Sequence, residues 1–350
     1  MKHTAVGELK ARVAAWRHGN PANGLKIIAV AGPHGKTTTA LLLAEMLRES
    51  GAKVATLTHG TYDQSVEALQ VQLANVKKDG AYYVIIEVTD ALLSNYGLHL
   101  LPLEMSIVTG DSETAEALLE HPANSTVIPS GLDISNLKTA PHQVISFGHD
   151  EIAEAQIARV KELRKGTEVE MVIDHQTRIE LATYLIGQAN ALNLAASVSA
   201  AYVLAVNTQD FEEGVARLER VAGNYEYIDN KTLPYDVVVD AAHTESSLEI
   251  VLASAKKLKK RRLIVVADGS VSPEVHPLIA QTADRMIAVS DAPEVPGVEK
   301  AGTLQAAVDV AMRGAKTDDL LLLVGKEFSA PQENGTTKAH QMIGEAKNDE

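Results

Sequence analysis

The sequence predicts an α/β fold that is divided into two domains. Short apolar runs alternate with longer helical patterns along most of the chain. The runs are continuous stretches of apolar residues, which is typical of parallel strands buried on both faces of a sheet. With 350 residues, the chain is also longer than a single hydrophobic core usually organises. We therefore expect two parallel sheets covered by helices, each in its own domain.

The candidate strands fall into two groups that are separated by a helical region. The first group is LKIIAVAG, KVATLTHG, YYVIIEVTD, MSIVTG, STVIPS and HQVISFG, and the second is DVVVDAAH, RRLIVVADG, RMIAVS and LLLLVGKE. Between them, the alanine-rich stretch 185–206 predicts a long helix packed deep in the first domain. Polar turn residues and Pro234 within 224–236 predict the domain boundary, so that residues 1–228 form the first domain and 229–350 the second.

Composition excludes several classes of function. The net charge of −14 argues against a nucleic-acid partner, because such partners are bound largely through Lys and Arg. The chain has no cysteine, which excludes disulfides, thiolate metal sites and a cysteine nucleophile. No apolar stretch is long enough for a signal peptide or a membrane span. We therefore expect a cytoplasmic protein with no membrane contact, whose ligand is a small molecule.

The stretch AVAGPHGKTTTALLLAEML predicts a phosphate-binding loop between a strand and a helix. Gly32 and Gly35 permit a turn in which several backbone N–H groups face anionic oxygens. Lys36 is expected to place its ammonium on the β and γ phosphates, and the Thr37 hydroxyl to ligate Mg²⁺. The strict pattern requires glycine where this chain has Val30, so the loop is a variant. The alternative is an ordinary glycine turn that precedes a helix.

A carboxylate follows the next long apolar run. Glu87 ends the segment YYVIIE. Ligands of open α/β sheets bind at the carboxyl ends of parallel strands, so that Glu87 is expected to hold Mg²⁺ directly or through water. The alternative is an acidic residue that simply starts a helix.

The phosphate-loop segment also carries a family resemblance. AGPHGKTTT resembles the A/T-G-T-H/N-G-K-T-T signature of the Mur ligases, the ATP-dependent enzymes that add amino acids to the muramyl peptide of peptidoglycan. The resemblance implies that His34 and Thr38 belong to the nucleotide site with their neighbours. GQANALNLAAS is similar to the family's G-x-H-N-x-x-N-x-x-A-A, which implies that Asn190 and Asn193 contact the adenine of ATP.

Two further segments extend the resemblance to the second half of the chain. VVVDAAHTESSLEIVL resembles the D-Y-A-H-x-P-x-S-L motif that opens the C-terminal domain of these ligases, which implies that Asp240 meets the ribose and that His243 lies near the nucleotide. TDDLLLLVGKEFSAPQ is similar to a stretch near the end of the ligases that add the third peptide residue. The family therefore implies a P-loop ATP-binding domain followed by a smaller, Rossmann-like domain.

The resemblance also implies a reaction and its catalytic residues. In a Mur ligase, ATP phosphorylates the carboxylate of an acceptor, and an incoming amine then displaces phosphate from the acyl phosphate. Lys36, Glu87 and His243 are the expected catalytic residues, and ATP and Mg²⁺ are the expected cofactors. The amine is expected to come from an amino acid or a peptide.

The chain also departs from the family pattern. Its resemblance starts at the linker helix, so that the domain which holds the uridine-nucleotide carrier is expected to be missing. The family's histidine for a second Mg²⁺ is missing from the segment that follows MSIVTG. Its carbamylated lysine also has no counterpart, since no Lys or Arg occurs between Lys78 and Lys138. His121 lies too late in the sequence to replace that histidine. Trp16 is expected to anchor the linker helix, and His59 is either a substrate contact or a turn residue.

These departures leave two functions open. One is a ligase that acts on a peptidoglycan-related or other carboxylate acceptor, with a partner protein supplying an acceptor domain. The other is a catalytically impaired, nucleotide-binding pseudo-ligase with a structural or regulatory role.

Overall fold

The computed structural model of the chain describes residues 5–58, 61–135, 137, 143–228, 230, 232–289, 295–330 and 336–348. The chain divides into two compact units. Unit 1 comprises Met1–Tyr184 and Gln188–Glu219, and unit 2 comprises Leu185–Gly187 and Arg220–Glu350.

Within the described residues, unit 1 contains a single sheet of nine strands and seven helices. Its strands are β1 (Lys26–Ala31), β2 (Val54–Leu57), β3 (Tyr83–Glu87), β4 (Leu103–Val108), β5 (Ala123–Pro129), β6 (Gln143–Gly148), β7 (Ala155–Leu163), β8 (Gly166–Ile173) and β9 (Thr177–Thr183). Its helices are α1 (Ala5–Arg17), α2 (Lys36–Glu49), α3 (Val66–Lys78), α4 (Asp90–Ser94), α5 (Glu113–Leu119), α6 (Gln188–Val203) and α7 (Thr208–Arg217). The strand order is β2-β3-β1-β4-β5-β6-β7-β8-β9.

The parallel part of this sheet confirms the predicted α/β class. The strands β2, β3, β1, β4, β5, β6 and β7 pair in parallel. The central strand β1 is apolar and buried on both faces, as continuous apolar runs require. The carboxyl ends of β1, β3 and β4 therefore meet at one edge of the sheet, and the loops that follow them share that edge.

The last three strands of this unit, β7, β8 and β9, were not predicted. β8 pairs antiparallel with β7 and with β9. The segment TRIELAT of β9 alternates exposed or half-buried residues with more buried ones, so that it lacks the continuous apolar run that marked the parallel strands. Alternation of this kind is typical of a strand with one solvent face, and it is the signal that could have predicted this part of the sheet.

Helix α2 is packed tightly within unit 1. It contacts both α6 and α7. Gly214 of α7 lies so close to the backbone of Met46 that a Cβ atom there would clash with it. The Ser197 hydroxyl on α6 donates a hydrogen bond of 3.0 Å to the Thr39 carbonyl of α2. The start of α2, where the predicted phosphate loop ends, is thus held against α6.

Helix α1 packs through small residues. Gly7, Ala11 and Ala14 are its buried positions, and Gly7 lies against the ring of Tyr96. Trp16 is 76% exposed, so that the prediction that it anchors this helix is wrong. The physical reason is that small residues let the helix approach its neighbours closely, which leaves the large ones on the outer side.

Unit 2 contains the second sheet. Its strands are β10 (Glu226–Tyr227), β11 (Asp236–Asp240), β12 (Leu263–Ala267), β13 (Arg285–Val289), β14 (Val298–Ala301) and β15 (Leu320–Val324). Its α-helices are α8 (Glu245–Leu258), α9 (His276–Thr282), α10 (Leu304–Gly314) and α11 (Lys338–Asn348). The order is β10-β11-β15-β12-β13-β14, and all pairs are parallel except β10 with β11.

Both faces of this second sheet are covered. Alternate residues of β12 enter different apolar clusters, Leu263 and Val265 on one face and Ile264 and Val266 on the other. Residues 220–228, which precede the predicted boundary, fold with unit 2 because β10 pairs with β11. Across the described ranges, no helix is both long enough and apolar enough to cross a bilayer.

Candidate functional site

The loop between β1 and α2 has the backbone of an anion-binding turn. Gly35 has φ +78° and ψ −4°, which is the left-handed conformation, and it is the residue from which α2 starts. Gly32 has φ +140°. A Cβ atom at Gly32 would overlap the Thr109 hydroxyl, and one at Gly35 would overlap the side-chain oxygen of Asn193. Only glycine fits at either position, and the loop delivers the first N–H groups of α2 to its concave side.

Thr109 supports this loop from the neighbouring strand. Its hydroxyl donates to the His34 carbonyl at 2.6 Å, and its backbone N–H donates to the Ala31 carbonyl at 2.9 Å. No motif predicted Thr109. A hydroxyl residue directly after β4, beside the strand that carries the loop, was the signal available.

Lys36 and Thr37 begin α2 with their polar groups directed to different partners. The Lys36 ammonium donates to the Gly32 carbonyl at 2.8 Å, which places the charge across the loop. The Thr37 hydroxyl donates to Oε2 of Glu87 at 2.7 Å. Glu87 is only 5% exposed and is paired in register with Val30 of β1. A cation, a hydroxyl and a buried carboxylate therefore converge on one turn.

This arrangement fits Mg²⁺ bound together with a phosphate. Mg²⁺ prefers oxygen ligands and is usually held by one or two protein groups, by waters and by substrate phosphates. The Thr37 hydroxyl and the Glu87 carboxylate are two such groups. Nowhere in the described ranges do three or more His, Asp or Glu side chains form a set that could hold a metal ion. A magnesium ion at Glu87 would thus depend on nucleotide oxygens for the rest of its coordination.

Two polar side chains that no motif predicted lie near Glu87. Tyr62 follows β2, and its burial, together with the nearby charge of Glu87, raises the pKa of its hydroxyl to about 12. Gln64 accepts a hydrogen bond of 2.9 Å from the Thr89 hydroxyl, which lies just beyond β3. These groups extend the polar surface of the sheet edge beyond the phosphate loop. His59, which precedes them, lies outside the described residues.

The two asparagines of α6 are buried next to the loop. The Asn193 amide donates to Oδ1 of Asn190 at 3.1 Å, which is the contact expected for residues three apart on a helix. The Asn193 oxygen lies against Gly35. The family resemblance implies that these residues contact adenine, and the structure brings Asn193 to the loop itself.

The remaining loop residues differ in exposure. Thr38 is fully buried in the first turn of α2. The pKa of His34 is lowered, first by partial burial of the ring and then by the charge of Lys36. Both effects favour the neutral form of the imidazole. His121, farther along the chain, is bonded to the Leu101 carbonyl at 2.9 Å.

Unit 2 places Asp240 and His243 after β11. The two carboxylate oxygens of Asp240 accept hydrogen bonds of 2.7 Å from the backbone N–H groups of Tyr225 and Ala242. Burial raises the pKa of Asp240 to about 6, against the opposing effect of these two donors. Nδ1 of His243 is 2.9 Å from the Ala241 carbonyl, so that Nδ1 carries the proton. Asp240 thus braces two loops of unit 2 and sets the position of the turn that carries His243.

A second buried carboxylate, Asp268, ties together the loops after β12 and β15. One of its oxygens accepts from the backbone N–H and hydroxyl of Ser270 at 2.8 and 2.6 Å. The other accepts from the backbone N–H groups of Glu327 and Phe328 at 2.7 and 3.3 Å. Gly325 lies directly beneath this carboxylate, where a Cβ atom would overlap it. Position 325 therefore requires glycine, because the Asp268 carboxylate occupies the place of a Cβ atom.

The predicted residues thus form two groups, each described within its own unit. Around the phosphate loop of unit 1 lie Gly32, His34, Gly35, Lys36, Thr37, Thr38, Glu87, Asn190 and Asn193. On unit 2, Asp240 and His243 lie at the carboxyl end of β11.

Comparison with known protein families gives two matches. Residues 30–110 match the Mur ligase middle domain, and residues 216–327 match the glutamate ligase domain of the Mur ligases. The first match includes the phosphate loop, Glu87 and Thr109. The second includes Asp240, His243, Asp268 and Gly325.

Individual proteins show the same relationship. The chain is 27% identical over 380 residues to the UDP-N-acetylmuramoyl-L-alanyl-D-glutamate–2,6-diaminopimelate ligase of Halalkalibacterium halodurans, a match that covers 92% of this chain and 77% of that ligase. The fold matches the Acinetobacter baumannii UDP-N-acetylmuramoylalanyl-D-glutamyl-2,6-diaminopimelate–D-alanyl-D-alanyl ligase with a TM-score of 0.75 and 18% identity, over 97% of this chain and 80% of that one. It also matches the Thermotoga maritima MurF ligase in complex with ADP, with a TM-score of 0.72 and 16% identity, over 100% and 86% of the two chains.

Proposed function

Because the chain contains the middle and glutamate ligase domains of a Mur ligase, we propose that it is an ATP-dependent ligase that joins a carboxylate to an amine through an acyl phosphate. The observation that carries the proposal is the turn at which Lys36, Thr37 and Glu87 converge. Phosphoryl transfer depends chiefly on positioning and on neutralising charge, and these three side chains supply both.

Each of the three residues has a proposed role. The Lys36 ammonium exchanges its contact with the Gly32 carbonyl for the β and γ phosphate oxygens of ATP. The Thr37 hydroxyl and the Glu87 carboxylate hold Mg²⁺. When bound, Mg²⁺ neutralises charge on the transferring phosphoryl group.

The remaining nucleotide contacts are proposed for each unit by itself. We assign the adenine to Asn190 and Asn193, and we infer from the contact with Gly35 that Asn193 also sets the position of the phosphate loop. For unit 2 taken by itself, we propose that Asp240 meets a ribose and that His243, whose Nδ1 donates to the Ala241 carbonyl, lies near a nucleotide.

The names of the relatives support a proposal for the substrates. The Halalkalibacterium halodurans ligase joins 2,6-diaminopimelate to a UDP-linked muramyl peptide by its name. We propose that the present chain acts on a peptidoglycan-related or other carboxylate acceptor, with an amino acid or peptide as the amine. We also propose that a partner protein supplies an acceptor domain.

A nucleotide-binding pseudo-ligase is the second candidate. The described residues contain no metal cluster of three protein ligands, and the sequence lacks the family's second-metal histidine and carbamylated lysine. Loss of one electrostatic stabiliser typically lowers a rate by about 10² to 10³, so that loss of two could bring ligation close to background.

Nucleotide binding is the first experiment. ATP and Mg²⁺ at about 100 times Kd should stabilise the protein by about 2.7 kcal/mol, measured by thermal or urea unfolding. Lys36→Ala should abolish this stabilisation, whereas Lys78→Ala, an exposed lysine at the end of α3, should retain it. If millimolar ATP and Mg²⁺ leave the unfolding of the wild type unchanged, the phosphate-loop assignment is wrong.

Ligation is the second experiment. The full chain is incubated with ATP, Mg²⁺, a panel of amino acids and UDP-linked muramyl peptides, and both released phosphate and amide product are measured, the product by mass spectrometry. Amide product supports the ligase. Nucleotide binding without amide product from any pair of substrates supports the pseudo-ligase.

A further inference from the structure

Helix α1 has an apolar outer face in addition to its buried one. Val6, Leu9, Val13 and Trp16 are 65%, 60%, 41% and 76% exposed. The positions that hold the helix in unit 1 are instead Gly7, Ala11 and Ala14. Four of the larger apolar side chains of this helix therefore contribute little to the packing of unit 1.

These four residues form one continuous stripe. Their spacing of three, four and three residues places them on a single side of the helix, at the a and d positions of two heptads. Contiguous exposed apolar surface of this kind marks interaction sites in soluble proteins. Trp16 is the only tryptophan of the chain, and tryptophan is enriched among the residues that dominate binding energy at interfaces.

Cations border the stripe on both sides. Lys10 and Arg12 are exposed and occupy the flanking e and g positions of the first heptad. Arg17 occupies the next e position and pairs with Glu67 at 2.9 Å. In paired helices, e and g positions carry the charges that select the partner, so that the border of this stripe favours a partner with carboxylates at its own flanks.

We propose that the outer face of α1, defined by Val6, Leu9, Val13 and Trp16, docks an amphipathic helix of another protein whose apolar stripe is flanked by acidic residues. A second copy of the chain fits poorly, because it would bring Lys10 and Arg12 of both copies together. An anionic membrane surface also fits poorly, because the chain carries a net charge of −14. The inference is independent of nucleotide binding and of ligation.

The single tryptophan provides the measurement. Two synthetic helical peptides share one leucine stripe, and one carries glutamate and the other lysine at the flanking positions. Titration of the full chain with the glutamate peptide should shift the emission of Trp16 to shorter wavelength, with a Kd about tenfold or more below that of the lysine peptide. The difference should shrink as salt is raised, because the flanking charges are exposed.

Variants of the outer face test the same point. Lys10→Glu together with Arg12→Glu should reverse the preference between the two peptides. Leu9→Ser together with Val13→Ser should abolish binding of both, while Tm and nucleotide binding stay unchanged because these side chains are exposed. A fall in Tm would instead show that the outer face supports the fold.

Three other results would overturn the proposal. Equal affinity for both peptides would show that the apolar stripe binds any apolar helix and that the flanking charges do not select the partner. A shift in Trp16 emission with phosphatidylglycerol vesicles but with neither peptide would assign the face to a membrane surface. A shift that grows with protein concentration alone, together with dimers in sedimentation, would assign it to self-association.

Discussion

The carboxyl ends of the two sheets carry buried carboxylates in similar places but with different partners. Glu87, Asp240 and Asp268 are 5%, 6% and 2% exposed, and each lies at or directly after the end of a buried parallel strand. In unit 1, Glu87 accepts from a side-chain hydroxyl of Thr37. In unit 2, both oxygens of each aspartate accept from backbone N–H groups.

The carboxylates differ in whether the donors of their hydrogen bonds can move to make room for a ligand. A hydroxyl can rotate and join a metal ion together with the carboxylate it was bonded to, at little cost. Backbone N–H groups of a folded loop cannot turn away without being left buried and unbonded. Glu87 is therefore better placed than Asp240 or Asp268 to bind a metal ion.

Removing Asp268 should have the largest effect of the variants that probe this difference. In Asp268→Ala, the N–H groups of Ser270, Glu327 and Phe328 lose their acceptor, and the expected loss is about 3 to 5 kcal/mol of the free energy of unfolding of unit 2. Urea unfolding measures this loss. Glu274→Ala, at an exposed acidic residue nearby, should change the free energy little. A loss below about 1 kcal/mol in Asp268→Ala would show that water replaces the carboxylate.

Changing Glu87 should affect turnover instead of stability. Glu87→Gln keeps an oxygen that can accept from Thr37, so that the free energy of unfolding should change by less than about 1 kcal/mol. Phosphate release from ATP should fall by about 10² to 10³, because the amide is a poor ligand for Mg²⁺. Glu104→Gln, which lies at the opposite edge of the same sheet in an ion pair with Lys26, should leave phosphate release unchanged. The reverse pattern, an unfolded Glu87→Gln protein, would make Glu87 a bracing residue like Asp268.

The pH dependence of stability should report Asp240. Burial raises its pKa in the folded protein to about 6, above the ordinary value of 3.8. Between these values the folded protein keeps a proton that the unfolded chain has released, so that this residue's contribution to stability falls as pH rises from about 4 to 6, and is constant above that. The contribution of Asp240 to the free energy of unfolding falls by about 3 kcal/mol, because each unit of pKa shift corresponds to about 1.4 kcal/mol. The free energies of unfolding of the wild type and of Asp240→Asn are measured from pH 4 to 7. The difference between them should change by that amount, because the wild type loses stability as pH rises and the variant does not. A constant difference would show that Asp240 keeps an ordinary pKa.

The smallest expected effect separates the two asparagines of α6. Asn190→Ala should weaken ATP binding by about 1 to 2 kcal/mol and leave GTP binding unchanged, because the proposed role of Asn190 is a contact to the adenine. Asn193→Ala should weaken ATP and GTP by similar amounts, because Asn193 also lies against Gly35 of the phosphate loop. Isothermal titration with both nucleotides measures the four affinities. If Asn193→Ala lowers the affinity for ATP alone, its role is confined to the adenine.

Much of the fold follows from local patterns. Continuous apolar runs predicted the α/β class and the parallel strands other than β7 and β14, because burial on both faces requires apolar residues at consecutive positions. The order of strand, glycine turn and helix predicted the position of the loop that ends at Lys36, because only that order places N–H groups at a helix start. The Mur ligase motifs predicted the class of relatives that the comparisons show.

Other features depend on residues that are far apart in the sequence. Thr109 supports the phosphate loop across 75 positions, and Asp268 reaches Glu327 across 59 positions. Trp16 lies outside because Gly7, Ala11 and Ala14 occupy the contact face, a choice set by the space beside Tyr96 and its neighbours. The amino-acid sequence by itself therefore determined the class of the fold and the place of the phosphate loop, through periodicity and local backbone geometry. The tertiary structure alone decided that both oxygens of Asp240 and of Asp268 are held by backbone amides whereas Glu87 meets the Thr37 hydroxyl, because the partners of a buried group are brought by other strands and loops.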